Sequence, residues 1–165
     1  MKLLMRLPVL ALFTMLTFSS CSTDSLDDKA EALELSLIST QTKAIEIEIL
    51  DLINDHRLSN GLNALKGMNI VKSVAFSHTD YMVDNDQISH DNFYTRSNYL
   101  KTNAGAKKVS ENVAYGYSTA QGVVKAWIKS ESHKANLEGD FTNFDISAEK
   151  NEDGRWYFTN IFIKK

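Results

Sequence analysis

The stretch Trp156-Tyr157-Phe158-Thr159-Asn160-Ile161-Phe162-Ile163 is apolar on much of both faces when extended. A strand of that kind belongs inside a sheet that helices cover. Asn151-Glu152-Asp153-Gly154 precedes it, and Asp-Gly between two apolar runs is a strong hairpin signal. The pattern predicts strands over Phe141–Glu149 and Arg155–Ile163, joined by that turn. A chain with such an inner strand must supply amphipathic helices elsewhere to cover it.

Those helices are readable upstream. Over Thr42–Asn60, Ile45, Ile49, Leu52, Ile53 and His56 recur at helical spacing, and Gly61 follows as a stop. Ile45-Glu46-Ile47-Glu48-Ile49 also alternates like a strand, but length and the stop favour a helix. Leu62 and Leu65 enter the core from a loop. Asn69–Asn85 reads as a second helix, capped by Asn69, with Val71, Ala75, His78 and Met82 on one face. A histidine on an apolar stripe reads as a core residue hydrogen-bonded to backbone. Gln87–Arg96 reads as a loop carrying Ile88-Ser89-His90-Asp91, with a short helical stretch near Phe93–Leu100 and a loop over Asn103–Lys108.

Ser110–His133 carries the polar chemistry. Glu111 sits directly before a predicted strand, Val113–Tyr117, and Ser118 or Thr119 supplies a helix N-cap. Val123, Val124, Trp127 and Ile128 form the apolar stripe of that helix. Trp127, Ser130 and His133 then step around the helix by about 60° each. One face thus carries a packing tryptophan followed by polar groups, and Ala135–Leu137 adds one more turn. Helices before, between and beside a small, mainly antiparallel sheet make an α+β layered domain.

The beginning of the chain differs in kind. Lys2 and Arg6 precede the apolar run Leu7–Phe18, and Ser19 and Ser20 lead into Cys21, the one cysteine. Residues 1–20 read as a secretory signal, too short for a comfortable membrane span. Phe18-Ser19-Ser20-Cys21 resembles a bacterial lipobox, which implies cleavage before a lipidated Cys21; the alternative is an ordinary signal peptide with a leftover thiol. Residues 21–43 read as an acidic tether and 44–165 as the folded domain. Loss of Lys2 and Arg6 takes the formal net charge from −3 to −5. A negative domain is a poor partner for nucleic acid. Membrane attachment would therefore run through lipid on Cys21.

Several separated stretches resemble the CAP superfamily of cysteine-rich secretory, antigen and pathogenesis-related proteins, in its bacterial branch. They are Ile49–Arg57 with Asn60-Gly61-Leu62, Ser77–Met82, Ile88-Ser89-His90, Ser110–Ala114, Ala126–Asn136 and Tyr157–Phe162. They stand in family order and cover about residues 44–163. The resemblance implies an α-β-α sandwich whose central cavity gathers histidines and acids able to hold a divalent cation, zinc being the usual suggestion. Carried over by motif, His90 matches the first histidine and Glu111 the glutamate of the Glu-Asn pair. Ser130 stands where the animal proteins have a second glutamate, and Tyr157 where they have a second histidine. His133, six residues after Trp127, matches the histidine of the bacterial branch. The implied ligand set is His90, Glu111 and His133, with Ser130 and Tyr157 in the cavity and Glu131 a lesser candidate.

Two imidazoles and a carboxylate with an open fourth position make a plausible zinc set. The alternative is a metal-free polar cluster in which Glu111 orients a histidine. No Gly-x-Ser-x-Gly elbow and no His-Glu-x-x-His helix occurs, which leaves a zinc-dependent hydrolase or peptidase as the weaker expectation. The favoured one is a lipid-anchored envelope protein, at the outer membrane or cell surface, that binds a small apolar ligand, a peptide or an envelope protein. A structural envelope component with a vestigial cavity is the third. Tyr94, Tyr99, Tyr115 and Tyr117 read either as groove lining or as core.

Overall fold

A computed structural model describes residues 42–165. The leader 1–20, Cys21 and the tether as far as Gln41 lie outside the described residues. The elements are α1 (Ala44–Ser59), β1 (Lys66–Gly67), α2 (Asn69–Asp84), α3 (Phe93–Ala104) and β2 (Lys108–Tyr115). They continue as α4 (Ala120–Lys129), α5 (Glu131–Leu137), β3 (Asn143–Lys150) and β4 (Trp156–Lys164).

The sheet runs β1-β3-β4-β2. β4 pairs antiparallel with β2 on one side and β3 on the other, so it is the inner strand its composition requires. Two-residue β1 pairs parallel with β3. Ile161 shows the register, standing opposite Glu111 on one neighbour and Asp145 on the other.

Each sheet face has its own core. Ala114, Phe144, Ile146, Ala148, Phe158 and Phe162 pack against Ile49 and Ile53 of α1, Val123, Val124 and Trp127 of α4, and Leu137 of α5. On the opposite face, Ile161 and Ile163 meet Val71, Val74 and Ala75 of α2 and Leu100 and Ala104 of α3. Val113 and Tyr157 meet Met82 at the end of α2. This is an α-β-α sandwich with a mainly antiparallel sheet.

Local chemistry sets the boundaries. Thr119 accepts a hydrogen bond from the Gly122 amide and so caps α4, as expected. Gly105 ends α3 with a left-handed conformation, φ 67°. The hairpin closes as Gly154 donates to the Asn151 carbonyl at 2.9 Å, with Gly154 at φ 78°.

Four expectations need correction. Glu111 lies inside β2, not before it, because β2 stays in register with β4 from Lys108 to Tyr115. The strand is longer than its apolar core because Asn112 is buried with its amide hydrogen-bonded, which hides the alternation. The helix after Thr119 breaks at Ser130, whose ψ of 121° is extended, so Trp127 and His133 share no continuous helix face. Asn69 is the first residue of α2 and Met68 is its cap. α3 runs on to Ala104, through residues expected to begin a loop.

The ambiguous start of α1 is resolved by a buried charge. Glu46 is fully buried while Ile47 is half exposed, the reverse of their hydropathy. Its carboxylate accepts from the Ala148 amide at 2.8 Å and the Lys43 amide at 2.7 Å, and pairs with the buried Lys72 at 2.6 Å.

Candidate functional site

The polar centre sits on edge strand β2, on the face shared with α2 and α3. Glu111 is its pivot. Its side chain is 1 % exposed, yet each oxygen has a partner. Arg96 of α3 grips the carboxylate in a two-pronged pair, Nε donating to Oε2 and Nη2 to Oε1, both at 2.9 Å. His90 donates from Nδ1 to Oε1 at 2.8 Å. An ionised carboxylate can only accept, so His90 carries the proton on Nδ1, and a neutral ring leaves its lone pair on Nε2. Burial alone pushes the Glu111 pKa up, but the hydrogen bonds from His90 and Arg96 outweigh it and hold it below the ordinary value.

His78 lies beneath this pair, buried and stacked on Tyr81. Its Nε2 donates to the Ser89 carbonyl at 2.8 Å and stays 3.8 Å from Glu111 Oε1, beyond hydrogen-bonding distance. Burial lowers its pKa. It is the core histidine bonded to backbone that its place on an apolar stripe predicted.

His133 lies in the first turn of α5. Its Nδ1 is 2.9 Å from the Ser130 hydroxyl, and its carbonyl accepts from the Asn112 amide at 3.1 Å. Burial, then the proximity of His90, lowers its pKa. Asn136, next to the last residue of α5, donates to the Glu111 carbonyl at 3.2 Å and to Asn112 Oδ1 at 2.8 Å. Helix α5 is thereby stitched to β2 beside the centre.

A cleft of about 220 Å³ opens here, lined by His90, Phe93, Val109, Ser110, Glu111 and Asn136. Ligand pockets that enclose a whole drug-sized molecule run from about 300 to 1,000 Å³. This one fits a single side chain or small group of a larger ligand, with Phe93 and Val109 as apolar walls and a polar floor already cross-linked.

Of the five cavity residues expected, the structure brings His90 and Glu111 into contact and joins His133 to Ser130 as a separate pair nearby. Tyr157 stands elsewhere. It is buried near the hairpin end of the sheet, against Tyr115, with its hydroxyl donated to Asp86 at 2.8 Å. Burial, then that bond, raises its pKa. Glu131 is exposed on α5. Tyr94 and Tyr117 are exposed, whereas Tyr99 and Tyr115 are half-buried against core clusters.

Arg96 and Asn136 were given no role by the sequence. Arg96 closes an apparent loop, and Asn136 ends the stretch Ala126–Asn136 with no chemistry of its own implied. The available signal was the acid itself: a carboxylate in a strand that faces a core needs a cation, and Arg96 is on the adjoining segment.

The fold and centre together define an α-β-α sandwich domain with a His/Glu cleft beside its edge strand. Residues 50–162 match the family described as CAP, the cysteine-rich secretory protein family, and the chain belongs to it. It is 33% identical over 124 residues to the "Uncharacterized membrane protein YlbC" of Bacillus subtilis, covering 73% of this chain and 34% of that protein. The chain thus spans about a third of that relative's length. Among solved structures, an outer surface protein of Borrelia burgdorferi superposes with a TM-score of 0.68 at 25% identity, over 76% of this chain and 96% of that one. An extracellular protein containing an SCP domain from Bacillus anthracis gives 0.63 at 26% identity, over 77% of this chain and 45% of that one. Among the described residues, no helix is long and apolar enough to cross a membrane.

Proposed function

We propose that this is a bacterial-type, lipid-anchored envelope protein whose CAP domain binds a ligand or partner at the cleft of His90, Phe93, Val109, Ser110, Glu111 and Asn136. The observation that carries the reading is the state of Glu111, both of whose oxygens are held by Arg96 and one also by His90. A general base must accept a proton from substrate or water. A carboxylate held this way, with a lowered pKa, is suited to fixing geometry. The walls of the cleft offer apolar contact, and His90 offers its ring Nε2 at the mouth, which suits recognition of one inserted group.

The test is amide NMR on the exported chain during titration with fractionated envelope extract. Shifts confined to Val109–Asn112, the His90 loop and Asn136, and lost in Asn136→Ala, are the expected outcome. Saturable shifts mapping to another face would move the binding site. The anchor is tested separately: Cys21→Ala should release the protein from membranes, and full membrane partitioning of that variant would remove lipidation from the proposal. The names of relatives that are an outer surface protein and a membrane protein support an exported location for this chain.

A further inference from the structure

A divalent cation is the ligand that the resemblance would place among His90, Glu111 and His133, so the donor set must be asked whether it fits one. Zinc would need to approach a carboxylate oxygen to about 2.0–2.2 Å, from a direction carrying no other positive charge. Both Glu111 oxygens already face one guanidinium at 2.9 Å. The Nδ1 bonds of His90 to Glu111 and of His133 to Ser130 leave Nε2 of each ring able to ligate, so the misfit rests on Glu111. Without its carboxylate only two nitrogens of the three-ligand set remain. As arranged, the set does not fit a divalent cation.

We propose that Arg96 is a built-in counter-cation: it holds the place beside Glu111 that a metal ion would need, and makes the cleft a metal-independent site for an uncharged group. The charge selectivity rests on the reading of the cleft as a binding site; the exclusion of metal does not. Three features support the role. The fork of the guanidinium matches the carboxylate plane, which a point charge would not. Arginine keeps its charge at every physiological pH, so the block is permanent rather than gated. The side chain is also anchored away from Glu111, since Nη1 donates to the Asp91 carbonyl and only 10 % of it is exposed. Swinging it aside would break three hydrogen bonds and strand a buried carboxylate. With Arg96 and Glu111 cancelling, the floor of the cleft offers a cationic ligand no net attraction.

The experiment is calorimetric titration of Zn²⁺ into the full exported chain in detergent, as wild type, Arg96→Met and Arg96→Met/His90→Ala, with circular dichroism confirming the fold. Removing a like charge from beside a ligand is worth roughly tenfold or more in affinity. Arg96→Met should therefore gain one-equivalent Zn²⁺ binding at least that much tighter than wild type, and the added His90→Ala should abolish the gain. If Arg96→Met fails to fold, Arg96→Gln retains a donor to one carboxylate oxygen and makes the same comparison. One-equivalent binding by wild type that depends on His90 and Glu111 would overturn the proposal, as would a folded Arg96 variant that gains nothing. Wild type that binds zinc and also an envelope ligand would sink the counter-cation and leave the binding site standing. A gain in Arg96→Met with no envelope ligand found would do the reverse.

Discussion

Lys72→Met gives the sharpest test of how the layers are held together. The Lys72 ammonium is 2.6 Å from Glu46 and donates to the Ile146 carbonyl at 2.6 Å, with both charged side chains buried. Methionine keeps most of the volume and removes the charge. Glu46 then retains the Ala148 and Lys43 amides but loses its close cation, leaving only the half-exposed Lys43 ammonium at 4.0 Å. Breaking one side of a buried pair costs about 3–5 kcal/mol. At about 2.1 cal/mol/K per residue, unfolding a domain of about 120 residues carries roughly 0.25 kcal/mol/K near its midpoint, so Tm should fall by about 12–20 °C. Calorimetry of wild type, Lys72→Met, Glu46→Gln and the double variant closes the cycle. The double variant should recover at least half the loss, because glutamine still accepts from the Ala148 amide and neither charge of the pair stays buried. A loss under about 1 kcal/mol for Lys72→Met, well below the cost of an uncompensated buried charge, would refute the argument. So would a double variant less stable than either single one.

Two further outcomes follow from the centre and its supports. The Glu111 pKa is lowered on folding, so its contribution is fully present above the ordinary value of 4.5 and is lost as pH falls through the folded value. The stability gap between wild type and Glu111→Gln should therefore close as pH falls below that ordinary value in urea melts; a gap that keeps widening there would reverse the sign. Trp127→Phe removes the indole donor to the buried Val113 carbonyl at 3.2 Å. It should cost about 1–3 kcal/mol for the stranded acceptor, with a smaller packing term. Denaturant melts showing no loss would mean that this carbonyl finds another partner.

What the sequence revealed divides along the line between apolar and polar burial. The inner strand, the hairpin and three helices follow from hydrophobic period and turn chemistry, and each is present within a few residues. The misread boundaries of β2 and α4 both involve polar groups. Asn112 interrupts the alternation of β2 because its amide bonds across to the His133 carbonyl, a contact no period records. Ser130 splits two helices with one extended residue, although 127–133 is compatible with an unbroken helix. Glu46 faces inward and Ile47 outward because Lys72, distant in sequence, arrives from α2. His90 and Glu111 were found by motif and Arg96 was not, since a search for metal ligands passes over a cation.

The same buried charges answer a structural problem posed by the composition. One cysteine cannot close a disulfide within the chain, so a domain of this size must keep its layers in register by other means. Apolar burial drives the layers together but is indifferent to small slips between them. The charged contacts are directional, and each spans elements that would otherwise slide. Glu46 and Lys72 tie α1 and α2 to β3. Arg57 of α1 donates to Asn63, Leu137 and Gly139 carbonyls, fixing α1 against the end of α5. Arg96 ties α3 to β2, where Asn136 ties α5 to the same strand. The cleft lies where those last two ties converge, so its geometry is set by the contacts that also fix the register of the sandwich. A substitution at Arg96 therefore has to be judged on two independent readouts, fold stability and cation affinity, because the side chain contributes to both through the same pair of hydrogen bonds.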